Sequence, residues 1–249
     1  MPAQNILWLF MVLLLIVAFL YSSVGHGGAS GYLALMALFS FSPDVMKSSA
    51  LILNILVSLI SFWQFYKGGY FRWRLFLPFS IASVPAAFLG SYIVLDSVIY
   101  KRILGVLLIF PILRILGFFG KDTEASREVQ WSWGILIGAI VGLLSGMIGI
   151  GGGIILSPII ILMHWGNLKQ TAAVSALFIF VNSISGLIGI LIKGIHIDSH
   201  IFLWIPVAVI GGMAGAYLAR KKYSNQVLKY SLALVLIMAC VKLITVVAK

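Results

Sequence analysis

The sequence predicts an all-α membrane protein: a polytopic helical bundle of 8–10 transmembrane segments, built from two inverted repeats with glycine-broken helices. Three observations carry that prediction. Apolar residues make up 62% of the 249 and charged residues only 9%, with a mean hydropathy of +1.14. A soluble domain carries about 25% charged residues and cannot bury this much apolar surface, whereas lipid can. Apolar runs of spanning length recur along the chain between charges and turns. The order of small motifs in the first half then returns in the second.

A membrane helix needs roughly 20 apolar residues. Cutting at charges, turns and Gly/Pro clusters gives five segments per half. In the first half they are Ile6–Val24, Ala29–Phe41, Val45–Tyr66, Leu75–Leu95 and Ile99–Phe119. In the second they are Trp133–Ile148, Ile154–Trp165, Thr171–Ile192, Ile201–Ala219 and Val227–Val247. The second segment of each half is short and follows a glycine cluster. It either spans with distortion or forms a half-helix paired with the segment before it. Trp8, Trp63, Trp73, Trp131, Trp133 and Trp165 fall near segment ends, where indole rings favour the headgroup zone. The start of the chain lacks the basic residues of a cleaved signal, so its first apolar run is expected to be a retained span.

Residues 1–119 are expected to form the first membrane repeat, 120–131 a polar linker and 132–249 the second repeat. Gly25-His26-Gly27-Gly28 lies over Gly149-Ile150-Gly151-Gly152 at an offset of 149 − 25 = 124. Ser49-Ala50-Leu51 lies over Ser175-Ala176-Leu177, and Lys67-Gly68 over Lys193-Gly194, both at 126. Chance apolar similarity does not keep this order. Five spans per half, an odd number, invert one half relative to the other. Paired repeats of this kind are a transporter signature, with the site at the repeat interface.

The net charge of +11 is not a nucleic-acid signal, because Lys and Arg sit between the apolar runs, facing headgroups. With ten spans, one face of the membrane receives ten of these basic residues and the other five, with Arg114 and Lys242 set aside. Were the two short segments re-entrant and eight spans left, the bias would nearly vanish, so the charge rule favours ten crossings with the N-terminus outside. Cys240, the lone cysteine, excludes an internal disulfide and a cysteine metal cluster. An intramembrane enzyme needs a nucleophile–base pair or metal cluster at depth, and only His26 is there, so no catalysis, metal or cofactor is expected.

Irregular backbone survives in hydrocarbon only where it lines a cavity or is buried in protein. Glycine permits the break, and the helix that restarts afterwards points free N–H groups back at it. Two facing breaks make a site for a negative charge without a midplane Arg or Lys. The candidate substrate residues are therefore Gly25, His26, Gly27 and Gly28 with Gly149, Gly151, Gly152 and Gly153. Ser49, Asn54, Ser175 and Asn182 of the third segments join them, with inter-helix hydrogen bonding as the alternative role. All six acidic residues fall in loops or at segment ends, which suits an anion better than a cation.

Gly149-Ile150-Gly151-Gly152-Gly153 followed by Ser157-Pro158, its partner Gly25-His26-Gly27-Gly28 and the Lys-Gly turns resemble the TauE/SafE sulfite exporter family. So does the Tyr70-Phe71-Arg72-Trp73-Arg74-Leu75 loop, although the family's acidic residue is absent there. The similarity runs from about Leu7 to Leu243, and His26, Ala29 and Ser30 depart from the usual run of glycines. The resemblance implies a secondary carrier of the cytoplasmic membrane that exports sulfite, sulfonates or related sulfur oxyanions. The expected partners are thus a small anionic substrate, the lipid bilayer and a coupling ion, proton or sodium, with no nucleic acid. A passive anion channel and an uptake carrier for another anion are the alternatives.

Overall fold

A computed structural model describes residues 4–23, 27–118, 127–195, 197–219 and 226–245. The described residues form ten α-helices and no strand: α1 Gln4–Ser23, α2 Ala29–Leu38, α3 Pro43–Lys67, α4 Trp73–Tyr92, α5 Ser97–Ile115, α6 Trp131–Ile148, α7 Gly153–Leu162, α8 Leu168–Ile192, α9 Ile201–Ala219 and α10 Gln226–Thr245. Each expected segment is a helix, shifted by a few residues at its ends. Among the described residues α3, α4, α6 and α8 are long and apolar enough to cross a membrane. The exposed large residues are apolar as well, Val12, Leu89, Phe202 and Ile210 among them, as a lipid-facing surface requires.

α2 and α7 have 10 residues each. At about 1.5 Å per residue such a helix covers half of a ~30 Å hydrocarbon core. Neither crosses; each folds back along the helix before it. In the first hairpin the Tyr21 hydroxyl meets Ser30 Oγ at 2.7 Å, and the Phe10 ring meets Phe39 at 5.3 Å. In the second, Arg127 N–H donates to His164 O at 3.2 Å, bringing the end of α7 back beside the start of α6. A hairpin returns the chain to the face it left, as two crossings do. The ten-to-five distribution of basic residues is therefore unchanged, because α1 pairs with α2 and α6 with α7, rather than the short segments alone being re-entrant.

The loop after α2, the start of α9 and the end of α10 share one face: Phe10 packs on Trp204 at 4.9 Å, and Lys242 Nζ donates to Leu38 O at 2.7 Å. The loops 67–73, 127–131 and 163–168 share the other, where Lys169 Nζ reaches Tyr70 Oη at 3.1 Å. Trp204 and Trp165 do not face outward. Both are buried, Trp204 against Phe10 and Phe41 and Trp165 against Phe79. Their surroundings are hairpin ends, which supply aromatic partners in place of water.

Each hairpin packs on the fourth helix of the other half, α1 along α9 and α6 along α4. The second seam is built by glycines four residues apart: Gly134, Gly138, Gly142 and Gly146. A Cβ on Gly134 would strike Pro78, and on the other three the backbone carbonyls of Phe79, Ser83 and Ala87. Small residues at this spacing let two backbones touch, the principal source of helix association in lipid. Helix lengths repeat in order across the halves: 20, 10, 25, 20 and 19 residues, then 18, 10, 25, 19 and 20. Gly142→Leu should strain this seam by about 1–3 kcal/mol or more, the cost of overpacking a close contact. The expected outcome is a lowered melting temperature of the detergent-solubilised protein; an unchanged one would contradict the α4–α6 contact.

Candidate functional site

Both breaks fall at membrane depth against the middle of α3 and α8. Gly28, the N-cap of α2, has φ 97°, and Gly152, the N-cap of α7, has φ 77°. This left-handed conformation favours glycine, and other residues pay roughly 1–2 kcal/mol for it. Neither helix start is capped by a side chain. The first-turn N–H groups of two helices are thus directed into the interior, carrying the positive ends of their dipoles.

The breaks converge on one pair of side chains. A Cβ on Gly27 would lie 2.7 Å from Asn54 Oδ1 and 3.0 Å from Ile179 Cγ2. On Gly151 it would lie 2.8 Å from Asn54 Nδ2 and 2.9 Å from Ile179 Cγ2. The third neighbour is Ser58 for Gly27, at 3.2 Å from its Cβ, and Ser183 for Gly151, at 3.1 Å from its Oγ. Asn54 and Ile179 are separated by 125 positions, and so are Ser58 and Ser183. The two breaks therefore meet matching surroundings from α3 and α8.

Asn54 joins them chemically. Its Nδ2 donates to Ile150 O at 3.3 Å, inside the second break, which fixes the orientation of the amide and turns Oδ1 toward the first. That Oδ1 has no hydrogen-bond partner, nor do the hydroxyls of Ser58 and Ser183. All three residues are fully buried. A buried polar atom without a partner costs about 1–3 kcal/mol. Several around one junction mark a place where hydrogen-bonding capacity is held in reserve.

The other candidates have separate surroundings. Gly25 and His26 lie outside the described residues. Gly149 closes α6 with φ 87° and faces Lys47. Gly153 is the first residue of α7, and a Cβ on it would meet the Ile179 side chain and Ser175 O. The Ser175 hydroxyl pairs with that of Ser157 at 2.7 Å, and Ser157 also donates to Gly153 O, which ties α7 to α8. Asn182 Nδ2 donates to Phe178 O at 2.8 Å within its own helix, and its Oδ1 is unpartnered. Ser49 Oγ is buried and unpartnered.

Sequence reasoning gave no site role to Ser58, Ser183 and Tyr32. Ser58 and Ser183 stand one turn beyond Asn54 and Ile179, a spacing that could have selected them. Tyr32 stands one turn after Gly28, and a Cβ on that glycine would meet its hydroxyl at 2.7 Å. That hydroxyl is buried and unpartnered. Among the described residues no group of three or more His, Cys, Asp or Glu could hold a metal ion.

The sulfite exporter TauE/SafE family model matches residues 9–243, nearly the whole chain with both breaks included. The chain belongs to the TauE/SafE family. A probable membrane transporter protein of Sinorhizobium fredii is 33% identical over 233 residues, covering 92% of this chain and 94% of its own. A probable membrane transporter protein of Methanocaldococcus jannaschii is 30% identical over 217 residues, 81% of each chain. One from Bacillus subtilis is 26% identical over 80% of each chain. No solved structure matches. This TauE/SafE protein is thus a multi-pass membrane transporter, and the family is one of transporters rather than enzymes.

Gly151→Ala should destabilise this TauE/SafE protein by about 1–2 kcal/mol, because φ 77° is left-handed and the new methyl meets Asn54. A lowered melting temperature checks it. A melting temperature equal to the parent's would contradict the backbone geometry of the second break.

Proposed function

We propose that this protein is a secondary transporter that exports a small sulfur oxyanion, sulfite or a short organosulfonate, by alternating access. The observation that carries the reading is the meeting of the two breaks at Asn54. Uncapped N-termini of α2 and α7, an amide and two hydroxyls offer hydrogen bonds to an anion there. Helix N-termini bind anions through free N–H groups and the helix dipole, which needs no fixed cation. Gly27, Gly28, Gly151, Gly152, Gly153 and Asn54 form the binding site in this reading. Gly149, Ser49, Ser175 and Asn182 flank it, and Gly25 and His26 join the proposal on the sequence alone. The family's description supports the choice of sulfur oxyanions.

The halves are an inverted duplication in this account. The repeated order of helix lengths and the matched neighbours of Gly27 and Gly151 support it, since the first hairpin opens from one face and the second from the other. Because each hairpin packs on the other half's fourth helix, the moving units are α1–α2 with α9 and α6–α7 with α4. They move against α3 and α8, rather than one half moving against the other. Lys and Arg enrichment assigns the face bearing loops 67–73 and 163–168 to the cytoplasm, in the cytoplasmic membrane. A proton or sodium gradient, or the gradient of the cargo itself, drives transport.

The test is flux of labelled sulfite in proteoliposomes. The reading predicts protein-dependent, saturable efflux that is accelerated by sulfite on the opposite side. Absence of protein-dependent flux for every sulfur oxyanion tried would remove it. Flux that neither saturates nor exchanges would replace the carrier with a channel.

A further inference from the structure

Lys47 is a buried lysine that the glycine junction does not account for. It lies one turn into α3 and is 8% exposed. Its Nζ has one hydrogen bond, to Ser91 O at 3.3 Å near the end of α4. Among the described residues it makes no ion pair; the two present are Arg74–Glu128 and His200–Asp198. A buried cation with no counter-charge and a single hydrogen bond is costly to retain.

Its placement ties it to the junction. Lys47, Asn54 and Ser58 are 7 and 11 residues apart, so all three share one face of α3. The second break runs along that face: a Cβ on Gly149 would lie 3.1 Å from Lys47 Cγ, and Gly151 adjoins Asn54. The seam beside it is shut, with Ser185 Oγ donating to Val84 O at 2.6 Å between α8 and α4.

We propose that Lys47 is an anion-binding residue of the transport path, meeting the cargo between the Asn54 junction and the face where α4 ends. As α4 moves from α8, the ammonium exchanges Ser91 O for the oxyanion. This rests on the anion-transport reading above and adds a fixed positive charge to a path otherwise lined by dipoles.

Sulfite flux in proteoliposomes tests it, with wild type measured first. Lys47→Met is expected to raise KM by roughly tenfold or more, the scale of a lost charge-assisted hydrogen bond, while Lys47→Arg retains most of the affinity and Lys193→Gln leaves KM unchanged. Lys47→Cys in a Cys240→Ser background gives a second measurement that does not depend on Lys47→Met folding. Alkylation of that cysteine with 2-bromoethylamine, with the reagent removed before the assay, should give a cationic thioether of lysine length that sulfite does not cleave and restore flux, whereas alkylation with anionic iodoacetate should not restore it. A KM unchanged in Lys47→Met with only a lowered melting temperature would make Lys47 a structural cap of α4 and overturn the inference. So would a cysteine that never reacts. Either result leaves the anion-transport reading standing. Absence of wild-type flux for every sulfur oxyanion overturns both.

Discussion

Backbone polar groups that lose their helical partners inside a bilayer must find others within the protein. That constraint shapes this molecule. Two helix breaks at membrane depth can persist only if protein surrounds them, and each break is enclosed by α3, α8 and the other break. Asn54 is the residue that satisfies part of the demand: its amide closes on Ile150 O in the second break while its oxygen faces the first. What it leaves unmet, together with Ser58 and Ser183, defines the polarity of the centre.

The rest of the architecture follows from enclosing the breaks. Half-length helices cannot hold themselves in lipid, so each is carried by a longer helix and clamped by a partner from the other half. Close backbone contact does this for α6, whose four glycines lie against Pro78 and the carbonyls of α4. Similar contacts seat α9 on α1, where a Cβ on Gly211 would lie 2.5 Å from Leu15 O. Hydroxyl pairs add specificity where the hairpins turn, Tyr21 with Ser30 in the first and Ser157 with Ser175 in the second. The halves therefore interlock, each hairpin seated on a helix of the other.

Much of the fold was legible in the sequence because lipid imposes length and hydropathy on every crossing helix. All ten segments and the shortness of Ala29–Leu38 and Gly153–Leu162 were visible that way. The hairpin pairing was one of two readings the sequence left open, since hydropathy gives the length of a segment and not its direction. Segment ends did not reveal that the Trp165 ring is buried against Phe79, because a hairpin end lies beside other aromatic rings as well as beside headgroups. At the site, the glycine clusters identified the breaks, but the polar residues of α3 and α8 could not be sorted without knowing which helix face meets them. Ser175 and Asn182 make bonds to their own surroundings, whereas Ser58 and Ser183 adjoin the junction. Lys47, counted in the sequence as a loop charge, required the structure to reveal its burial.

The central claim is that the two breaks and Asn54 together form one anion site. Equilibrium binding of labelled sulfite to the purified protein in detergent tests it most directly, comparing wild type with Asn54→Leu. The account predicts a single saturable site in wild type that Asn54→Leu abolishes while circular dichroism still reports a folded helical bundle. Equal binding by the folded variant would contradict it, placing the anion elsewhere in the molecule.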